Sequence, residues 1–257
     1  MIKKYVMITG AGGFLGANLS ILFSKLNYNI ICIDKNKLKI NLFKKKLKKF
    51  KNIRYFFCLD ITKEKKVKDI FSQLNKKKIF TTVLINNAAN NPIVKKTEKI
   101  KLMNLNSWQK DLEVSLNGTY IITKTFVEKF KSNLGGSIIN IGSDLSLLSP
   151  NHEIYNFKKK KYLKPISYSV TKHGMVGLNK YFATLYAKQN IICNMISPGP
   201  IDNNLPNYLR KKLIHNTPMK KLCSVDEVFK AILFFCDTKN RHITGQNICI
   251  DGGKSLI

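Results

Sequence analysis

The chain has 257 residues, 44% of them hydrophobic, enough to bury the core of one α/β domain and too apolar for a disordered chain. Its formal net charge is +30 at pH 7, yet all of its 45 basic residues except Arg54, Arg210 and Arg241 are lysine. Base-edge and bidentate phosphate recognition favours arginine, and the lysines are spread along the chain, so the charge argues against a specific nucleic-acid partner and predicts only loose adhesion to polyanions at low salt.

The first ten residues carry two lysines and a short apolar stretch that breaks at Gly10. That is too early for a signal-peptide core, and Tyr5–Thr9 reads as a first strand. No apolar run approaches the ~18 residues of a membrane span, so a cytoplasmic protein without membrane contact is expected. Short apolar runs then alternate with longer amphipathic stretches. Strands are predicted over Asn29–Asp34, Ile53–Leu59, Val83–Asn86, Ser137–Ile141, Ile191–Ile196 and Asn247–Ile250. Helices are predicted over Leu15–Asn27, Lys37–Phe50, Lys63–Leu74, Ser107–Lys131, Ser169–Lys188 and Val225–Cys236. This alternation gives an α/β fold with a doubly wound parallel sheet, helices on both faces and right-handed crossovers. No repeat or linker divides it, so residues 1–257 are read as a single domain.

Two segments break the alternation. Asp144–Pro165 follows a predicted strand and includes Lys158–Lys161, and Pro200–Lys221 follows another. Long loops after the carboxyl ends of strands are where ligands bind in such sheets, so 144–165 and 200–221 are candidate substrate loops. The six cysteines form no Cys-x-x-Cys pair and the four histidines no ligand pattern, which argues against a metal.

Thr9-Gly-Ala-Gly-Gly-Phe-Leu-Gly16 links the first strand to the first helix. Glycines there permit a tight turn and close approach of a pyrophosphate to free helix N–H groups; the plainer reading is an ordinary strand-to-helix connection. Asp34 ends the second strand, where a carboxylate accepts from both adenosine ribose hydroxyls and repels a 2′-phosphate. NAD is therefore favoured over NADP, with Lys35 and Lys37 the residues that would oppose that preference. Asp60, after the third strand, either faces the adenine or is an exposed turn aspartate. Asn86–Ala89 suits backbone packed against a flat cofactor, or a simple asparagine turn.

Tyr168 and Lys172 are one helical turn apart on one face. An ammonium beside a phenol favours the phenolate and gives a proton donor and acceptor usable near neutral pH. The spacing alone is also what two residues on a lysine-rich helix face would show.

Together these features resemble the short-chain dehydrogenase/reductase family over essentially the whole chain. The resemblance rests on the turn Gly10–Gly16, Asp34, Asp60, Asn86–Ala89, Asn117, Ser143, Tyr168, Lys172, Pro198-Gly199, Gly245 and Asp251-Gly252-Gly253. It implies a Rossmann-like domain with about seven strands and a catalytic set of Asn117, Ser143, Tyr168 and Lys172. Tyr168 would exchange the proton, Ser143 would hold the substrate oxygen, Lys172 would bind the nicotinamide ribose and lower the Tyr168 pKa, and Asn117 would hold a relay water. It further implies cofactor contacts at Gly10, Gly13, Phe14, Leu15, Gly16, Asp34, Asp60, Ile61, Asn87, Ala88, Tyr168, Lys172, Pro198, Gly199 and Ile201, and a homodimer or homotetramer. Two departures stand out. Phe14 occupies a position the compact branch gives to glycine, and the Ser143–Tyr168 separation is longer than this family commonly has.

Ile141–Ser146 and Lys164–Gly174 look like a narrower group of oxidoreductases associated with flagellin-modifying and surface nonulosonate sugars. The expected activity is hydride transfer between a nicotinamide and a secondary alcohol or ketone, on a small and anionic substrate such as a sugar or sugar phosphate. The alternatives are a 3-oxoacyl-carrier-protein reductase, against which Asp34 and the long loop argue, and a cofactor-sensing binding protein, against which the complete catalytic set argues.

Overall fold

The apolar runs show no in–out alternation. In a computed structural model, Tyr5–Thr9 and Gly136–Ile141 are buried at every residue, as strands covered on both faces must be. The structure describes residues 5–48, 50, 52, 54–90, 103–130, 135–156, 163–237 and 240–257. The strands are β1 (Tyr5–Thr9), β2 (Asn29–Asp34), β3 (Arg54–Cys58), β4 (Thr81–Asn86), β5 (Gly136–Ile141), β6 (Ile191–Pro198) and β7 (Asn247–Ile250). They form one sheet in the order β3-β2-β1-β4-β5-β6-β7, with every pairing parallel. The helices are α1 (Phe14–Lys25), α2 (Lys37–Leu47), α3 (Glu64–Lys76), α4 (Leu105–Leu112), α5 (Thr119–Lys129), α6 (Ile166–Tyr186), α7 (Asn207–His215) and α8 (Val225–Cys236).

Successive strand side chains feed opposite layers. Val6 and Ile8 pack with Leu19, Phe23, Phe43 and Phe235 of α1, α2 and α8. Tyr5 and Met7 belong to the layer of Phe71, Phe126 and Phe182 from α3, α5 and α6. Phe23 and Phe126 are fully enclosed, and truncating either to alanine is expected to cost about 3–5 kcal/mol.

The sheet order reverses between β1 and β4. Connections leave these neighbours in opposite directions and open a crevice at their carboxyl ends. Three local chemistries set the elements around it. Pro165 precedes α6 and Pro206 precedes α7, positions where the fixed φ suits a helix start and a missing N–H costs nothing. Helix α6 therefore starts three residues before the expected Ser169 and carries Tyr168 in its first turn. Ser224 and Glu227 cap α8 reciprocally.

The predicted helix 107–131 is one helical run over 105–129 that changes its winding midway. It comprises α4, a π-helical turn over Glu113–Gly118, and α5. Gly118 in that turn lies so close to Ile61 that a Cβ would sit 2.7 Å from it.

Candidate active site

Beneath the crevice lies one cavity of about 1000 Å³. Its first wall is the β1–α1 turn. Gly10 has φ +64°, and a Cβ there would meet the Ala88 backbone at 2.9 Å. At Gly16 a Cβ would lie 2.3 Å from the Gly10 carbonyl oxygen. Space requires both glycines, and at Gly10 the dihedral does so as well. Gly13 precedes α1, and no side chain caps that helix, leaving its first N–H groups and positive dipole end for an anion. Phe14, at the departure from the compact pattern, is the first residue of α1 and lines the cavity while 39% exposed.

The Asp34 carboxylate accepts from Gly12 N at 2.9 Å and from Asn36 N at 2.8 Å, bracing the glycine turn against the end of β2. It lines the cavity together with Lys35, Asn36 and Lys39. Asp60 lines it too. Burial pushes the Asp60 carboxyl up, but hydrogen bonds from the Thr62 N–H and hydroxyl, with Lys35 and Lys63 nearby, bring it below its usual range. Asp60 is partly buried, holds its turn through Thr62, and faces the cavity beside Ile61.

Asn87 is more than a turn residue. Its Nδ2 donates to the Thr9 carbonyl at 3.0 Å and the Gly10 carbonyl at 3.2 Å, and Thr9 Oγ1 accepts from the Asn87 and Ala88 N–H groups at 3.0 Å each. This cross-link stitches β4 to the glycine turn. Asn86 instead points into the core and donates to Thr123 and Asn140.

At the other end of the cavity, Ser143 follows β5 while Tyr168 and Lys172 project from α6. The Tyr168 hydroxyl hydrogen-bonds Ser143. Lys172 Nζ donates to the Ile141 carbonyl at 2.7 Å and lies 5.7 Å from the Tyr168 ring centroid. Burial, with Lys164 adding, draws the Lys172 pKa down to about 8. The Tyr168 phenol departs from the sequence expectation. Burial raises its pKa, Asp144 adds to the rise, and only the Ser143 hydrogen bond opposes it. Desolvation in this cavity is the largest influence on the phenol.

The structure brings Gly10, Gly13, Phe14, Leu15, Asp34, Asp60, Ile61, Asn87, Ala88, Ser143, Tyr168, Lys172, Pro198, Gly199 and Ile201 to this one cavity. Gly16 stands behind it as a packing glycine. Asn117 is a correction. Its side chain is exposed on the π-helical turn and donates to Glu113 Oε2 at 3.1 Å, so it does not reach the cavity. The buried polar side chain of that turn is Ser115. Motif position alone could not separate the two, because a π turn shifts which residues face inward.

Segment 144–165, a candidate substrate loop, brings Asp144, Tyr155 and Lys164 to the wall, and Lys254 is the residue that was not foreseen. Lys164 Nζ lies 3.9 Å from the Tyr168 ring centroid, and burial holds its pKa at about 8 while Asp144 opposes the fall. Tyr155, raised to about 12 chiefly by burial, also lines the cavity, as do Asp144 and Lys254. The Lys158–Lys161 run lies outside the described residues. Segment 200–221 supplies Leu205, Tyr208, Leu209 and Leu213 to the wall. Among the described residues no group of His, Cys, Asp and Glu is placed to hold a metal. No described helix is long and apolar enough to cross a membrane.

A family model described as enoyl-(acyl carrier protein) reductase matches residues 14–255. The 3-oxoacyl-acyl-carrier-protein reductase of Buchnera aphidicola subsp. Schizaphis graminum is 27% identical over 255 residues, covering 98% of this chain and 97% of that protein. A short-chain dehydrogenase from Leptospira borgpetersenii, solved with bound NAD+, superposes with a TM-score of 0.85 at 27% identity, covering 98% of this chain and 93% of the other. ElxO, solved with NADP, superposes with a TM-score of 0.84 at 27% identity over 99% and 100% of the two chains.

Proposed function

Because this chain belongs to the short-chain dehydrogenase/reductase family, we propose that it is an NAD-dependent oxidoreductase acting on a secondary alcohol or ketone that carries an anionic group. The observation that carries this reading is a single cavity with Asp34 at one end and Ser143, Tyr168 and Lys172 at the other. The cradle fits a dinucleotide: an uncapped helix start for the pyrophosphate, a carboxylate for the ribose diol, and Pro198, Gly199 and Ile201 beside the nicotinamide position. The nicotinamide supplies or accepts the hydride. Tyr168 exchanges a proton with the substrate oxygen, Ser143 holds that oxygen by a hydrogen bond, and Lys172 holds ribose hydroxyls while its charge favours the phenolate.

The anionic group is read from charge. Near Tyr168 the cavity wall carries Lys164, Lys172 and Lys254 against one carboxylate, Asp144. Such a surplus raises the local concentration of anions. A sugar acid or sugar phosphate suits it, in keeping with the resemblance of Ile141–Ser146 and Lys164–Gly174 to surface-sugar oxidoreductases. A homodimer or homotetramer pairing through α4, α5 and α6 accounts for exposed Leu105, Tyr120, Tyr181 and Leu185.

A second reading, 3-oxoacyl-acyl-carrier-protein reduction, is favoured by the likeness to the Buchnera protein. One experiment separates the two. The purified protein is offered NAD+ and NADP+ with sugar acids and sugar phosphates, and NADH and NADPH with an acetoacetyl carrier protein, while absorbance of the reduced cofactor is followed. NAD-linked turnover of an anionic polyol supports the first reading. NADPH-linked consumption of the acyl substrate alone replaces it with the second.

A further inference from the structure

The catalytic serine is held by an ion pair that joins two distant parts of the chain. Ser143 Oγ donates to Asp144 Oδ1 at 2.8 Å. It accepts from the Leu145 N–H at 3.2 Å and is hydrogen-bonded to Tyr168. A hydroxyl has one donor and two acceptor sites, so the single Ser143 hydroxyl hydrogen is committed to Asp144 while Leu145 occupies one of its lone pairs. The other Asp144 oxygen, Oδ2, accepts from Lys254 Nζ at 2.5 Å. Asp144 is 4% exposed and the Lys254 side chain 16%.

Lys254 reaches this point from the far end of the sequence. After β7 the chain turns through Gly252 and Gly253, both at positive φ. Asp251 fixes the turn by accepting from Gly253 N at 3.1 Å and Ser255 N at 2.7 Å. The turn thereby aims Lys254 into the catalytic cavity. A half-buried tether would serve equally well as a hydrophobic contact, and a buried ion pair is poor value as a staple, since desolvation consumes most of its attraction. What the pair does supply is a carboxylate whose charge is balanced and whose orientation is fixed, one residue from Ser143.

We propose that Asp144 and Lys254 are a positioning pair: Asp144 orients the Ser143 hydroxyl, and Lys254 cancels the Asp144 charge beside the Tyr168 phenol. The inference rests on the proton-transfer role given to Tyr168. The charged and titratable groups around that phenol are Lys164 and Lys172 against its ring, Tyr155, Asp144, and Lys254 beyond Asp144. Burial pushes the Tyr155 phenol up to about 12, and Asp144 is the one carboxylate of the set, with Lys254 as its ion-pair partner. When Ser143 turns its O–H toward a substrate oxygen, the Asp144 carboxylate keeps Lys254 and the Leu145 N–H as partners. The serine is thus released without stranding a buried charge.

The test reads the Tyr168 titration itself, so it needs no substrate. Full-length protein labelled with carbon-13 at the tyrosine Cζ is titrated with pH in saturating NAD+, and Tyr168→Phe identifies the resonance. Lys254→Gln keeps a hydrogen-bond donor for Asp144 but removes the counter-ion, and it is expected to raise the Tyr168 midpoint by about one unit. Asp144→Asn removes the anion, leaves Lys254 charged, and is expected to lower the midpoint by about as much. The double variant returns close to the wild type, and Lys254→Arg leaves the midpoint in place.

Opposite shifts in the two single variants establish the pair. A midpoint unmoved in either, or moved in the same direction in both, overturns it and leaves a tether for the C-terminal segment. Either single variant decides on its own where the other does not fold. Turnover of Tyr168→Phe is measured separately. Retained turnover would remove the role of Tyr168, whereas lost turnover with unmoved midpoints would remove only the pair.

Discussion

Lys172 ties α6 to the end of β5 by donating a 2.7 Å hydrogen bond from Nζ to the Ile141 carbonyl. The bond holds an ammonium that is 4% exposed beside the Tyr168 ring, and the cost of burying it is readable in pH. Its folded pKa is about 8, against 10.5 for the free side chain. Below about pH 8 it is protonated in both states and the folding penalty, on the order of 3 kcal/mol, is complete. Between those two values the unfolded chain binds the extra proton, so this group's contribution to stability rises with pH. Lys172→Met removes the penalty together with one hydrogen bond whose loss does not depend on pH. The stability of the variant relative to wild type is therefore expected to be most favourable below about pH 8 and to decline as pH rises toward 10.5. Urea unfolding of the cofactor-free proteins across that range checks it. A difference independent of pH would mean that charge burial does not shape this site.

The proton-transfer assignment predicts that Tyr168→Phe lowers kcat by about 10²–10⁴-fold, the usual worth of a positioned general acid–base. NADH binding, followed by fluorescence titration, should stay within about twofold, because the removed hydroxyl serves the substrate. Lys172→Ala should damage both turnover and NADH affinity, since that lysine serves both. Near-normal kcat in Tyr168→Phe would remove the mechanism proposed above.

The two ends of the cavity were legible in the sequence to different degrees. The glycine turn, Asp34 and the strand–helix alternation could be read because each rests on local chemistry: a positive φ, a carboxylate at a strand end, a hydrophobic period. Tyr168 and Lys172 could be read because helical spacing places them on one face. Lys254 could not. It meets Asp144 from the opposite end of the chain, and neither position has a local pattern that announces the pair. Asn117 failed for a related reason. Asn117 lies on the exposed side of the π turn over Glu113–Gly118, bonded to Glu113, while Ser115 is the buried polar residue there. The raised Tyr168 pKa was not legible either, because a sequence gives the neighbouring Lys172 and not the burial.

Asp34 predicts cofactor choice. Its carboxylate already braces the turn through Gly12 N and Asn36 N and presents its charge where a 2′-phosphate would lie. NADH is expected to bind at least about tenfold more tightly than NADPH, a gap of about 1.4 kcal/mol. Asp34→Asn, which keeps one acceptor oxygen for the turn, should narrow that gap mainly by improving NADPH. Tighter NADPH binding by the wild type would mean that Lys35 or Lys37 overrides the acid, and would favour the acyl-carrier reading.

Lys164 predicts the charge of the substrate. It lies against the Tyr168 ring and on the cavity wall, at the reacting end and away from Asp34. Held at about 8 chiefly by burial, it is charged at neutral pH and loses that charge as pH rises through this value. Lys164→Gln should therefore raise KM for an anionic substrate by about tenfold or more, the worth of one partly desolvated charge contact. NADH affinity should change little, and kcat/KM should lose part of its dependence on salt. In the wild type, KM for the anion should climb as pH passes about 8, and this rise should be absent in the variant. A neutral analogue of the substrate provides the control, because removing a cation next to Tyr168 also disfavours its phenolate and would slow every substrate alike. Equal losses on the charged and the neutral substrate would assign Lys164 to the tyrosine rather than to the anion, and the substrate would then need no charge at all.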